Sequence, residues 1–217
     1  MTSVHASFPT ARPRATFARA ATGGAALVAT LCAFLAGCAT SRPTHFYTLD
    51  PVPSSTRVEL RSPMHVQVAA VHIPATLDRR ELARESAAGT LELSEQDLWG
   101  APLDEMVRRI LTQDLMQRLP EDAVVLPQQP APSKTRAIVV DLVELGADAS
   151  GAVSLDGSWS LLAAGSDEPL LRNHLRLTTA ASPAYADQPR ALSQLLSQLA
   201  DHIAQTLSAR CGPGPGC

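Results

Sequence analysis

Of the four cysteines, Cys32, Cys38, Cys211 and Cys217, one stands where covalent chemistry is expected. Leu35-Ala36-Gly37-Cys38 closes a short apolar run, Ala25 to Ala36 (AALVATLCAFLA), and Arg12, Arg14 and Arg19 precede that run. Small residues ahead of a thiol let the chain fit a signal peptidase, and the thiol can carry a diacylglyceryl group as a thioether. LAGC matches the bacterial lipobox. Cys38 is therefore the candidate lipidation site, with Leu35, Ala36 and Gly37 as the residues that present it. The apolar run falls short of the roughly 20 residues a spanning helix needs. A basic start, a short apolar stretch and small residues at its end read as a secretory signal. Two or three acyl chains, at about 0.8 kcal/mol per buried CH₂, hold a protein stably on a membrane. An Asp after the cysteine retains a lipoprotein in the inner membrane of Gram-negative cells. Ala39 stands there instead and favours the outer membrane, facing the periplasm.

The remaining reactive types form no comparable constellation. His5, His45, His65, His72, His174 and His202 include no i, i+4 pair, and none neighbours a cysteine at a zinc spacing. No metal or other cofactor is expected. There is no G-x-S-x-G elbow, and Ser158 in Gly157-Ser158-Trp159 lies inside an alternating strand pattern. No phosphate loop is present. The expectation is a protein that is not an enzyme. Cys211 and Cys217 flank Gly-Pro-Gly-Pro-Gly at the C-terminus. In an oxidising compartment they can close a small disulfide loop, and a fraying tail with two free thiols is the equal alternative.

The chain carries 18 Lys and Arg against 21 Asp and Glu, a net −3. Removing residues 1–37 takes away three Arg and no acid, leaving 15 against 21, a net −6. That balance argues against nucleic acid, which demands clustered cations, and against electrostatic docking on anionic lipid.

The elements that must carry any binding surface follow from periodicity. Residues 38–63, with Pro43, Pro51, Pro53 and Pro63, read as an extended tether, within which Phe46-Tyr47-Thr48-Leu49 is an apolar island. Met64 to Val71 alternates as a first strand, Thr90 to Ser94 as a second, and Ala123 to Leu126 as a short third. Ala101 to Leu119 reads as a helix, with Pro102 in its first turn and Asp104 and Glu105 complementing its dipole. Its buried stripe is Leu103, Met106, Val107, Ile110, Leu111, Leu115 and Leu119. Ala137 to Leu145, Val153 to Leu161 and Leu171 to Thr178 form a meander, and the second strand places Trp159 on the apolar face. Pro189 opens a last helix with Leu192, Leu195, Leu196, Leu199, Ile203 and Leu207 on one face. The order predicts an α+β domain over 64–209, a mainly antiparallel sheet with two helices on one face, followed by a Gly/Pro/Cys tail at 210–217.

At this level the chain resembles the ABC-type transport auxiliary lipoproteins, the PqiC-like family. FYTL after the lipobox, Ile73-Pro74-Ala75-Thr76-Leu77-Asp78-Arg79, Trp99-Gly100-Ala101-Pro102-Leu103, and the Trp-bearing strand Gly151 to Leu161 are similar to that family's segments in order and spacing. Thr76 departs from the aromatic many members carry, which bears on the local contact surface. The resemblance implies a non-catalytic, outer-membrane-anchored, periplasm-facing subunit of an intermembrane lipid transport system, with an MCE-domain protein as partner and self-association left open. The other reading is a structural or regulatory envelope lipoprotein that binds a cell-wall enzyme or an assembly machine. Leu77, Asp78, Arg79 and Trp99 are the candidate partner contacts, because they fall at loop positions and Arg and Trp are enriched at interaction hot spots. The internal reading of the same residues pairs Asp78 and Arg79 locally and uses Trp99 to staple the helix start to the sheet.

Overall fold

Pro102 cannot continue a strand and its fixed φ suits a helix start, so the chain turns from extended to helical there. Helix α1 runs Leu103–Arg118 with Asp104 and Glu105 in its first turn and Arg118 in its last. The second helix, α2, is Gln188–Arg210, opened by Pro189 and preceded by a 3₁₀ turn at Tyr185–Asp187. The computed structural model describes residues 42–86 and 89–211. The strands among them are β1 His45–Tyr47, β2 Val66–His72, β3 Glu81–Glu85, β4 Leu91–Trp99, β5 Arg136–Asp148, β6 Ala152–Leu162 and β7 Pro169–Ala180.

They form one seven-stranded sheet in the order β1-β4-β3-β5-β6-β7, with β2 alongside β5. The longest ladders, β5 with β6 and β6 with β7, are antiparallel, as the alternating meander implied. β1 on β4, β2 on β5 and β3 on β5 are parallel, so the sheet is mixed. The fold is α+β, and the predicted helix stripes meet the meander's apolar face. Val153, Leu155, Trp159 and Leu161 of β6 are fully buried with Ile110, Leu111 and Leu115 of α1 and Leu192, Leu195, Leu196 and Leu199 of α2. Trp159 is 0% exposed, and its indole Nε1 donates to His202 Nδ1 at 3.2 Å, satisfying the one polar atom that burial would strand. β6 passes so close to β5 that a Cβ at Gly157 would sit 2.5 Å from the Asp141 carbonyl oxygen.

Four expectations change. β3 escaped the sequence pattern because ELARE carries charge at both ends and at Arg84, yet Leu82, Ala83 and Arg84 are all buried. β4 extends to Trp99 rather than ending at Ser94: opposite β3 the register jumps from Ala83↔Leu93 to Glu81↔Leu98, so the polar residues between are bulged out of the ladder. The strand expected at Ala123 to Leu126 reduces to a single bridge, Val66↔Val124. The segment expected to be a tether up to residue 63 is extended, but it is held to the body from His45 onward. β1 pairs with β4, and Leu49 is completely buried.

Candidate functional site

The N-terminal segment lies along both helices, and its amides find side-chain acceptors there. Asp50 N donates to Ser193 Oγ, Val52 N to Asp114 Oδ1 at 3.0 Å, and Ser54 N to Gln117 Oε1. Val58 N donates to the Arg118 carbonyl, and Ser208 Oγ to the Glu59 carbonyl. An extended strand beside helices has no ladder to satisfy its N–H groups, and these polar side chains replace one.

A buried ion pair sits beneath that segment. Arg118 donates through Nε to Asp201 Oδ1 at 2.6 Å, through Nη2 to Ser197 Oγ at 2.6 Å, and through Nη1 to the Asp114 carbonyl at 3.0 Å. Its Nη1 is 3.6 Å from Asp114 Oδ1, and both side chains are almost inaccessible. Burial pushes the Asp114 carboxyl up to about 6, against the pull of Arg118 and the Val52 amide. Sequence reasoning missed this junction. Its one signal was a polar pair at i, i+4 set among the apolar stripe of α1, between Leu111, Leu115 and Leu119. A second hub holds β1. Asp97 accepts from Tyr47 Oη at 3.1 Å and from Ser94 Oγ at 2.6 Å, with His45 Nδ1 3.4 Å away. Burial raises the Asp97 carboxyl, but these contacts outweigh it and hold it below the ordinary carboxylate range.

The loop between β2 and β3 carries three of the four candidate contacts. Leu77 N donates to the Pro74 carbonyl and Arg79 N to the Leu77 carbonyl, which fixes a tight turn. Arg79 Nε donates to the Thr76 carbonyl at 2.6 Å, Asp78 is exposed, and Leu77 is half-buried against the core. Trp99 is separate from this turn: it is 4% exposed, in the core, and its amide donates to the Arg80 carbonyl at 2.6 Å. That placement favours the staple reading for Trp99. Leu77 and Trp99 approach the same small gap between β3, β5 and α2, whereas Asp78 does not line it.

Among the described residues, no helix or further sheet covers the face of the sheet away from the helices. On its β5–β7 side, Asp156 is buried beneath Arg176, whose Nε donates to it at 2.5 Å, and His174 Nε2 lies 2.8 Å from its other oxygen. His174 is thus exposed but paired. His72 Nδ1 is 2.7 Å from Asp141 Oδ1 on the same face. Among the described residues, no three His, Cys, Asp or Glu side chains converge as a metal site would require. No described helix is long and apolar enough to cross a membrane. Leu35, Ala36, Gly37, Cys38 and Cys217 lie outside the described residues. Cys211, just past α2, is completely buried and disulfide-bonded.

These features belong to one compact unit, and comparison with known proteins places it. A family model for the ABC-type transport auxiliary lipoprotein component matches residues 47–204. The intermembrane transport lipoprotein PqiC of Escherichia coli K12 is 26% identical over 184 residues, covering 83% of this chain and 96% of that protein. The Shigella flexneri protein of the same name matches equally. In structure, an uncharacterised protein superposes with a TM-score of 0.62 at 23% identity, covering 77% of this chain and all of that one. A Xanthomonas campestris protein gives 0.58 at 12% identity, covering 77% and 95%. At these identities the two structures speak for the fold alone. The family match spans the body from the Tyr47 end of β1 into α2, and the chain belongs to the ABC-type transport auxiliary lipoprotein family.

Proposed function

We propose that the mature chain is anchored by lipid on Cys38 to the outer membrane, faces the periplasm, and serves as a non-catalytic docking subunit of an intermembrane lipid transport system. The observation that carries this reading is the family match over nearly the whole described body, together with the PqiC relatives, which are named for intermembrane transport. The fold is compatible with the role. From Cys38 to His45, where β1 begins, an extended chain reaches at most about 25 Å. The lipid would therefore hold the sheet and its loops close to the membrane, facing any partner that crosses the periplasm.

The partner in this reading is an MCE-domain protein of the same transport system. The turn at Leu77, Asp78 and Arg79, with Asp78 exposed and its neighbours half-buried, is the proposed contact, and Trp99 supports it from within. Cys217 is the proposed disulfide partner of Cys211, fastening the tail to the end of α2. In a Gram-negative host, sucrose-gradient fractionation should place the wild-type protein with outer membrane, and Ala39→Asp should move it inward. Affinity purification of the mature protein with mass spectrometry should recover an MCE-domain protein. Wild-type protein confined to inner-membrane fractions would refute the anchoring, and purification of a cell-wall enzyme instead would favour a structural envelope role.

A further inference from the structure

The uncovered sheet face is divided by chemistry. Across a ladder, paired residues share a face, so Leu93 with Ala83, Leu91 with Glu85, and Glu85 with Asp148 all lie on the side away from the helices. Glu144 and Ser154 join them through Glu144↔Asp156 and Gly146↔Ser154. Of the five large apolar side chains most exposed among the described residues, three gather here: Leu91, Leu93 and Val143, the last 72% exposed. Val143 stands out because β5 has a register shift between Leu142 and Glu144. A cleft of about 240 Å³ opens at this point, walled by Leu77, Leu91 and Val143. Glu85, Glu144 and Asp148 line it, and no Lys, Arg or His is among its lining residues. Of the cations on adjoining elements, Arg176 is turned onto Asp156, Arg84 lies over the Tyr185 ring, and Arg79 Nε donates to the Thr76 carbonyl.

We infer that this cleft receives a partner protein segment in which an apolar side chain is flanked by Lys or Arg. Among the described residues the apolar walls lack a covering element and the three carboxylates form no ion pair, which favours a cation at the rim. The Ser150 hydroxyl and the amides of Ala152 and Ser150 hold the Asp148 carboxyl below the ordinary carboxylate range. A bilayer is the poorer occupant, because carboxylates at the rim are repelled by anionic lipid. The inference deepens the docking reading by naming the partner's chemistry, and rests on that reading only for the existence of a protein partner.

The test uses the full lipidated chain in detergent and fluorescent peptides of sequence Lys-Leu-Val-Leu-Lys, Glu-Leu-Val-Leu-Glu and Lys-Ser-Ser-Ser-Lys. Anisotropy should show saturable binding of the first, at least tenfold weaker binding of the other two, and weakening with added salt. Val143→Arg and Glu85→Lys, both at exposed positions, should each reduce binding tenfold or more while leaving the melting temperature unchanged. Absence of saturable binding, equal binding of the acidic peptide, or indifference to both variants overturns the inference. So does a fluorophore at position 143 that enters phosphatidylethanolamine–phosphatidylglycerol vesicles in preference to peptide. If Val143→Arg and Glu85→Lys still capture the partner fully in cells, the cleft is wrong and the docking role stands. If the peptide binds as described but no transport partner is recovered in cells, the docking role is wrong and the cleft stands.

Discussion

Replacing Arg118 with Ala removes the cation that joins α1, α2 and the N-terminal segment. The side chain is 3% exposed and makes three hydrogen bonds, to Asp201, Ser197 and the Asp114 carbonyl. Hydrogen bonds to a charged group contribute about 1.5–3 kcal/mol each, but they share one guanidinium and do not add. Asp201 is 43% exposed and recovers water when released, so its share is small. Asp114 is fully buried and keeps only the Val52 amide on its side chain, with Oδ2 unpartnered. Stranding one member of a buried pair costs about 3–5 kcal/mol, and protonation of Asp114 limits the loss to that range. In a domain of this size that is a fall in melting temperature of roughly 6–20 °C. The assay is urea unfolding of the mature chain, followed by the fluorescence of its two buried tryptophans, Trp99 and Trp159. The double variant Arg118→Met with Asp114→Leu removes both charges while keeping volume, and should return to within about 1 kcal/mol of wild type. An Arg118→Ala protein whose urea midpoint equals that of wild type would refute the reasoning, as would a double variant no better than the single one.

Cys38→Ala should abolish palmitate labelling and leave an uncleaved precursor; labelling at the wild-type level would exclude Cys38 as the anchor. Trp159→Ala empties a fully buried site and strands the hydrogen bond to His202, so it should cost about 3–5 kcal/mol in urea unfolding; an unchanged midpoint would contradict the burial. Asp114 carries a pH signature. Its folded pKa of about 6 lies above its ordinary 3.8, so the folded state binds the extra proton between those values. Its contribution to stability is therefore greatest below about pH 4 and declines as pH rises through about 6, by up to ~3 kcal/mol. Asp114→Asn should flatten that slope in denaturation curves measured from pH 4 to 7, and a slope unchanged by the substitution would count against it. Arg79→Ala loses one local bond to the Thr76 carbonyl and should lower the melting temperature by no more than about 4 °C while weakening co-purification of the transport partner; undiminished capture would remove Arg79 from the contact.

The sequence by itself determined the elements whose burial is periodic. The α1 and α2 stripes and the Val153 to Leu161 alternation show in one dimension, because a helix or strand with one buried face must repeat its apolar residues at a fixed spacing. The proposed lipobox is legible for a different reason, because such a signal is a linear motif that needs no fold. Tertiary structure decided what rests on pairing between distant residues. β3 is a strand because β4 and β5 flank it, not because ELARE alternates. Residues 49–59 are held because Asp114, Gln117 and Ser193 reach their amides from helices more than 60 positions away. Trp99, a loop residue by sequence, became core once β4 extended to include it. The acidic cleft was invisible for the same reason. Glu85 comes from β3 and Glu144 and Asp148 from β5, and only the sheet register puts them on one face with Leu91 and Val143.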